Sequence, residues 1–480
     1  MKTIFESSVA GREGCWPCDG MAEEAYIPKE LLRDGEIGLP SASELDVVRH
    51  FTKLSQRNYG VDGNFYPLGS CTMKYNPKFT EIVAGMPGFT RLHPVLPQLQ
   101  GAGGLCQGAL EVMYEIEQQL AEITGMAAYT MHPMAGAHGE LTGVMLMAAY
   151  HRDKGNKKTK VIVPDSAHGT NPASAAIAGY EIVSIESVDG IVSPEALAEV
   201  LDDEVAGMMM TCPNTLGLFE QNLPKVVEML REVDALLYYD GANLNAIMGK
   251  MRVGDVGFDI VHWNLHKTMA TPHGGGGPGS GPVGVSERLV PFLPISRVAK
   301  LEDGQYFLDY DYPKSIGYVA PFYGNFGVYL KAYAYILRLG GKGLTRATEN
   351  AVLAANYMRK RLEDHFEIPY NRICMHEFVA SASKQAENGV HALDIGKGLL
   401  DKGHHAPTVY FPLIVPEAIM IEPTETENKE TLDTFIDDLI AIAETAESNP
   451  EAVQAAPVTL PVTRLDETKA ARSMELTDDL

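Results

Sequence analysis

The chain has 480 residues, 45% of them hydrophobic, and sets 39 Lys+Arg against 63 Asp+Glu for a formal net charge of −24. That length and apolar content suit a large core in more than one structural unit, and the acidic balance argues against nonspecific nucleic-acid binding or adhesion to anionic membranes. Charges at Glu6, Arg12 and Glu13 stand where a secretory leader needs an apolar stretch, and no apolar run reaches membrane-spanning length, so a cytoplasmic location is expected.

Cys15, Cys18, Cys71, Cys106, Cys212 and Cys374 are scattered in the manner of a protein kept reduced. Cys15-Trp16-Pro17-Cys18 lacks a second C-x-x-C, and no strand before it and helix after it are evident, so neither a redox role nor a metal site is expected. Residues 1–90 carry Pro28, Gly35, Gly38, Pro40 and Gly60 and are expected to form an irregular extension. Its most distinctive stretch, Phe65-Tyr66-Pro67-Leu68-Gly69-Ser70-Cys71-Thr72-Met73-Lys74-Tyr75-Asn76-Pro77, reads on physical grounds alone as a surface loop with a turn.

Over 104–125, Leu110, Met113, Ile116, Leu120 and Ile123 recur at three- and four-residue steps and Gly125 supplies a stop, which predicts an amphipathic helix. Then comes Met131-His132-Pro133-Met134-Ala135-Gly136-Ala137-His138-Gly139-Glu140, followed by an apolar helical stretch over 141–150. Small residues at a helix start leave amides free to face an anion such as a phosphate, although a plain loop-to-helix entry has the same pattern. The run 160–164 predicts a buried strand ending in Asp165-Ser166-Ala167-His168-Gly169-Thr170-Asn171-Pro172, where His168 can be structural, an acid or base, or a flat ring against a ligand.

Alternation continues through strands at 181–185 and 205–211 and helices at 194–201 and 225–233, which predicts parallel βαβ units with right-handed crossovers. Pro213-Asn214-Thr215-Leu216-Gly217 stands at one more strand end. The run 235–239 delivers Asp240 at its carboxyl end, followed by Gly241-Ala242-Asn243-Leu244-Asn245. A second run, 258–263, ends in Asn264-Leu265-His266-Lys267-Thr268. Ligands bind outside the carboxyl ends of strands in open α/β sheets, so Asp240 and Lys267 can face one pocket. Pyridoxal phosphate chemistry needs such a pair, an amine for the Schiff base and a carboxylate to keep the ring nitrogen protonated. An aspartate that caps a helix beside a solvated lysine has the same look, but the glycine-dense Pro272-His273-Gly274-Gly275-Gly276-Gly277-Pro278-Gly279-Ser280-Gly281-Pro282 that follows favours close backbone approach to a ligand.

Residues 306–335 are rich in tyrosine, including Tyr318, Tyr323 and Tyr335. Rigid aromatics of this kind suit a packed interface. A helix over 344–362, a strand over 373–380 and a last helix with Leu432, Phe435, Ile436 and Leu439 on one face predict a smaller α+β unit, and the final ~30 residues look loop-like. The expected division is an extension at 1–90, a large domain at 91–330 and a small domain with its tail at 331–480.

The long motifs at 65–77, 135–140, 165–172, 213–217, 240–247 and 264–282, with Met420-Ile421-Glu422-Pro423-Thr424-Glu425-Thr426-Glu427 and Leu465-Asp466-Glu467-Thr468-Lys469-Ala470-Ala471-Arg472, resemble the P-protein family of the glycine cleavage system. Its members are glycine dehydrogenases (decarboxylating) that use pyridoxal 5'-phosphate, and the length matches a separately encoded second subunit bearing the cofactor lysine. The resemblance implies an α/β fold of fold-type I, aspartate aminotransferase-like, with a large parallel or mixed-sheet domain and a smaller α+β C-terminal domain. It implies Lys267 as the Schiff-base lysine, Asp240 as the partner of the ring nitrogen, and His168 stacked on the ring with Thr170 or Asn171 nearby. Gly136, Ala137 and His138 fall in the family's phosphate cup, Ala242 follows Asp240 in its motif, and Thr215 is placed near the cofactor. His266 and His138 are candidates for proton transfer, Ser70 and Lys74 for binding a carboxylate, and Tyr66 for covering the cofactor.

The same resemblance implies glycine as substrate, a first subunit as partner in a heterotetramer with two copies of each chain, and transfer of the aminomethyl group to the lipoyl arm of H-protein. No ~80-residue β-rich module with a turn-borne lysine is present, so the acceptor is expected on another protein. Two other readings stay open: another fold-type I enzyme, such as an amino-acid decarboxylase or a cysteine desulfurase, and a non-catalytic scaffold of the same fold.

Overall fold

The computed structural model describes residues 2–12, 14, 28–35, 38–99, 103–274 and 277–474. Cys15-Trp16-Pro17-Cys18 lies outside these residues, as do Gly275 and Gly276 of the glycine-dense stretch. Two compact units emerge, one formed by Met1–Gly63 with Arg464–Leu480 and one by Asn64–Thr463.

The first unit differs from the irregular extension expected of 1–90, because it holds a helix, Glu44–Ser55. Its start signal was legible: the Ser43 side chain accepts from the Asp46 amide while Asp46 reaches back to the Ser43 amide, a capping box. Proline and glycine on either side of this segment masked it. A second helix, Lys78–Ala84, also falls within 1–90, though it belongs to the larger unit.

The main sheet of the larger unit has seven strands: β1 (Ala128–Thr130), β2 (Lys160–Pro164), β3 (Glu181–Ile185), β4 (Val205–Thr211), β5 (Leu236–Gly241), β6 (Ile260–Trp263) and β7 (Val283–Val285). They lie in the order β1-β7-β6-β5-β4-β2-β3. The five from β2 to β6 are mutually parallel, whereas β7 runs antiparallel to both β1 and β6, so the sheet is mixed. Every residue of β4, β5 and β6 is buried, the reason these strands read as continuous apolar runs. Alternate residues feed two cores. Leu237, Tyr239, Met208 and Met210 face one layer, and Leu236, Tyr238 and Met209 face the other, which includes Val144 and Met147 of the helix Gly136–Lys154. Gly143 lets that helix close on the sheet, since a Cβ there would overlap the Tyr238 ring.

A helix at Phe326–Leu362, interrupted at Gly340 by non-helical dihedrals, leads into a three-stranded antiparallel sheet with Ala418–Ile421 between Phe378–Ser381 and Thr408–Val409. Its own core includes Met358, Phe378, Ile421, Phe435 and Leu439. The expected strand at 373–380 in fact starts at Phe378, and Ile373 is 80% exposed. Leu68 bridges to Ile421, so the 65–77 stretch is stitched to this small sheet and is no free surface loop. Of the tyrosines expected at an interface, Tyr323, Tyr329 and Tyr335 pack inside the chain's own core, while Tyr318 is 65% exposed.

Candidate active site

The carboxyl ends of the parallel strands open onto a cavity of about 230 Å³. Asp240, Ala242, Lys267, His266, His168, Thr170, Thr215, Gly136 and Ala137 all line it. His138 does not: its Nδ1 accepts from the Met134 amide at 3.3 Å. Ser70 and five side chains that sequence reasoning did not single out, Glu140, Thr211, Asn243, Asn264 and His273, complete the wall.

Sheet register explains the floor. Asp240 pairs across the ladder with Thr211 on one side and His262 on the other, so their side chains share a face. Burial alone would push the Asp240 carboxyl up. His262, the Ala242 amide at 3.0 Å, the Lys267 charge and the Asn171 amide at 3.1 Å outweigh it and hold Asp240 below the usual carboxylate range. His262 Nε2 lies 3.4 Å from Asp240 Oδ1, and its Nδ1 lies 2.6 Å from the Tyr238 hydroxyl. Glu140, one helical turn into Gly136–Lys154, behaves in the opposite way. Burial and the Asp240 charge push it up to about 8 despite the Thr170 hydroxyl at 2.9 Å.

Lys267 sits in a single helical turn, Leu265–Thr268, directly after β6, and its Nζ donates to the Ser70 carbonyl at 2.6 Å. His168 follows β2, is exposed toward the cavity and meets the Thr170 hydroxyl at 2.8 Å through Nδ1. His266 accepts the Ser280 amide on Nδ1 at 3.2 Å, and burial pushes its pKa down to about 3. It therefore faces the cavity as a neutral ring with Nε2–H as its donor.

The helix Gly136–Lys154 points its N-terminus at the cavity without a side-chain cap, and its first amides precede the bond from Gly139 N to the Ala135 carbonyl. Such an end holds an anion. A Cβ at Gly136 would sit 2.6 Å from Asn264 Oδ1, so a larger residue there would push the Asn264 side chain out of the wall. Several buried polar atoms of the wall have no hydrogen-bond partner, namely Glu140 Oε2, Thr211 Oγ1, Asn243 Oδ1 and Asn264 Oδ1. Unpaired groups of this kind are costly unless a ligand takes them up.

Two sequence expectations change. Lys74 is not available to a substrate carboxylate: it is buried, and its Nζ donates to the Glu425 carboxylate at 2.6 Å and to the Thr268 carbonyl at 2.7 Å, bracing the turn that carries Lys267. Burial opposes that charge, but Glu425 outweighs it and raises the Lys74 pKa. Tyr66 stacks on His405 at 3.7 Å and is not among the residues lining the cavity.

A family model described as "Glycine cleavage system P-protein" matches residues 18–304, and one described as "Glycine dehydrogenase, C-terminal domain" matches 347–459. The chain is 58% identical to a protein of Caldanaerobacter subterraneus subsp. tengcongensis named "Probable glycine dehydrogenase (decarboxylating) subunit 2", covering 98% of this chain and 97% of that one. A Listeria monocytogenes protein of the same name is 54% identical over the same shares. Among solved structures, a glycine decarboxylase (P-protein) in inhibitor-bound form superposes with a TM-score of 0.70 at 21% identity, covering 87% of this chain and 93% of that one. The glutamate decarboxylase of Lactobacillus brevis superposes with a TM-score of 0.65 at 14% identity, covering 93% and 98%. These structures share the fold-type I architecture with this chain. The cavity thus sits at strand ends in a chain whose sequence follows one family over nearly its whole length: it belongs to the glycine cleavage system P-protein family.

Proposed function

We propose that this chain is the cofactor-carrying subunit of a two-chain glycine dehydrogenase. It removes the carboxylate of glycine as carbon dioxide and transfers the aminomethyl group to the lipoyl disulfide of H-protein, the disulfide being reduced as one sulfur takes that group. The observation that carries this reading is the convergence of Lys267, Asp240 and an uncapped helix N-terminus on one cavity in a member of this family. Family membership favours it over a desulfurase or a non-catalytic scaffold.

The donor set fits pyridoxal 5'-phosphate. When bound, that group supplies an electron sink for the pair left behind as carbon dioxide departs. Lys267 is the amine that would carry its aldehyde carbon. Asp240, kept ionised, would hold the proton on the ring nitrogen, with His262 and Asn171 fixing the carboxylate. The amides of Gly136, Ala137 and His138 would receive the phosphate, and His168 would cover one ring face with its orientation set by Thr170. Thr215, whose hydroxyl donates to the Ser166 carbonyl at 2.5 Å, and Ala242, whose amide is spent on Asp240, shape the wall. His266 offers Nε2–H for placing a substrate oxygen and has no free lone pair for use as a base.

Relatives named as subunit 2 support a companion first subunit, and a heterotetramer is the assembly this reading expects. No helix among the described residues is long and apolar enough to cross a membrane. On this reading Tyr318, which is exposed, contacts the companion. The test is release of carbon dioxide from carboxyl-labelled glycine by the purified chain, alone and after mixing with its first subunit and lipoylated H-protein. Release only in the mixture is expected. Full activity from the chain alone, monomeric by light scattering, would overturn the partnership, and no release from the complete mixture would overturn the activity.

A further inference from the structure

Outside the residues assigned above, the small sheet brings two glutamates together, one of them hydrogen-bonded to Ser70 and Asn243 of the cavity wall. Glu377 and Glu422 are both fully buried, at 0% exposure. Together with His376 they offer one ligand atom each, all within 4.8 Å of one another. The carboxylate oxygens are already committed. Glu377 accepts from the Ser70 amide at 2.6 Å and from Asn243 Nδ2 at 3.3 Å. Glu422 accepts from the Thr72 amide at 2.8 Å, the Thr72 hydroxyl at 2.6 Å and Asn245 Nδ2 at 3.2 Å. This is not an open set of metal ligands.

Ser70 and Thr72 have φ values of 61° and 47°, a left-handed conformation disfavoured for residues with a Cβ. Each is held there by one of the two carboxylates. The Ser70 peptide unit that follows points its carbonyl at Lys267 Nζ, 2.6 Å away, and Lys267 is a cation that acts on both carboxyls. Two carboxylates this close, both fully buried, do not both ionise.

We propose that Glu377 and Glu422 hold one proton between them and act as a single positioning unit, clamping the 70–72 turn so that the Ser70 carbonyl meets the Lys267 amine. Burial pushes both carboxyls up, with the Glu422 charge adding to the effect on Glu377. One net negative charge then remains to strengthen the amide bonds of the turn, since hydrogen bonds to a charged acceptor are stronger than neutral ones. Only the enzymatic arm of the test rests on Lys267 being the cofactor-bearing residue; the others concern the chain itself.

Glutamine imitates the protonated member of such a pair, so the proposal makes a non-additive prediction. In the infrared spectrum of the full chain, Glu377→Gln and Glu422→Gln should each remove one carboxylic-acid C=O band, because the remaining glutamate is then ionised. The double variant keeps the hydrogen-bonding shape but loses the charge. Hydrogen exchange at the Ser70 and Thr72 amides should stay near wild type in each single variant and accelerate about tenfold or more in the double, the scale set by weakening a buried charged bond. The rate at which Lys267 is labelled by an acylating reagent in the cofactor-free chain should change only in the double variant. In the complete enzyme, the double should lower kcat about tenfold or more with little change in the KM for glycine. A single variant that loses no acid band overturns the shared proton, as does a double variant with wild-type exchange and labelling. If the double fails to fold, the infrared spectra of the two singles decide alone.

Discussion

Two buried clusters have the same composition, two carboxylates and one histidine: Asp240, Glu140 and His262, of which both acids line the cavity, and Glu377, Glu422 and His376, of which Glu377 reaches it through Ser70 and Asn243. Their electrostatics differ. In the first, His262 stands opposite Asp240 in the sheet register and, with the Ala242 amide, Lys267 and Asn171, overcomes burial, so one acid is held ionised while Glu140 is pushed up to about 8. In the second, burial pushes His376 down to about 3, its ring nitrogens have no hydrogen-bond partner, and both glutamates are raised. Composition does not set charge here; the donors that reach each oxygen do. A sheet provides a fixed histidine for one cluster, and a strained turn provides backbone amides for the other.

The largest effect that can break this comparison is removal of the amine to which both clusters are coupled. Lys267→Ala should abolish decarboxylation, and borohydride reduction followed by peptide mapping of the unaltered chain should find the cofactor fixed on Lys267. Cofactor fixed on Lys74 instead would contradict the buried ion pair with Glu425 as well as the assignment. Next comes Asp240→Asn. A neutral amide cannot hold the ring-nitrogen proton, and losing one partner of a buried ionic pair costs about 3–5 kcal/mol, so kcat should fall by roughly 10²–10⁴-fold in a protein that still folds. Near-normal turnover in steady-state assays would refute that role.

Glu140→Gln sharpens the contrast with less damage. The Glu140 carboxyl is raised from 4.5 to about 8, so the folded chain keeps a proton that the unfolded chain releases. Its contribution is therefore fully present below pH about 4.5 and is lost as pH rises through about 8. The variant should show a flatter decline in stability between those limits, measured by denaturant unfolding at a series of pH values. A slope as steep as that of wild type would mean that Glu140 is ionised in the folded state.

The parallel strands were legible because buried parallel strands are continuous apolar runs, and their ends delivered His168, Thr215, Asp240 and Lys267 in the order of the chain. Contributors that reach the site through pairing between strands were not. Nothing local in Val-His262-Trp says that its ring faces Asp240, since that depends on register between two strands. Glu140 could have been found one helical turn beyond Gly136, where a helix N-terminus projects side chains toward whatever its amides face. Glu377 was hidden by reading 373–380 as one strand, when the chain before Phe378 is a loop bound to Gly217 through the Met375 amide. The helix Glu44–Ser55 was missed because flanking proline and glycine outweighed a capping box that was present in the sequence.

The smallest expected effect separates the two histidines that sequence reasoning placed side by side as proton carriers. His266 lines the cavity, whereas His138 does not, and the Nδ1 of His138 is spent on the Met134 amide just outside the helix. What His138 would offer a phosphate is its backbone amide, which substitution leaves in place. His138→Asn should therefore keep cofactor affinity and turnover within about threefold, because the change removes one partly exposed hydrogen bond worth about 0.5–1.5 kcal/mol to stability and no group facing the substrate. Its pH–rate profile should superimpose on that of wild type. A His138 variant that loses one limb of that profile would show that the ring itself exchanges a proton, and the helix end would then have to reorient when substrate binds.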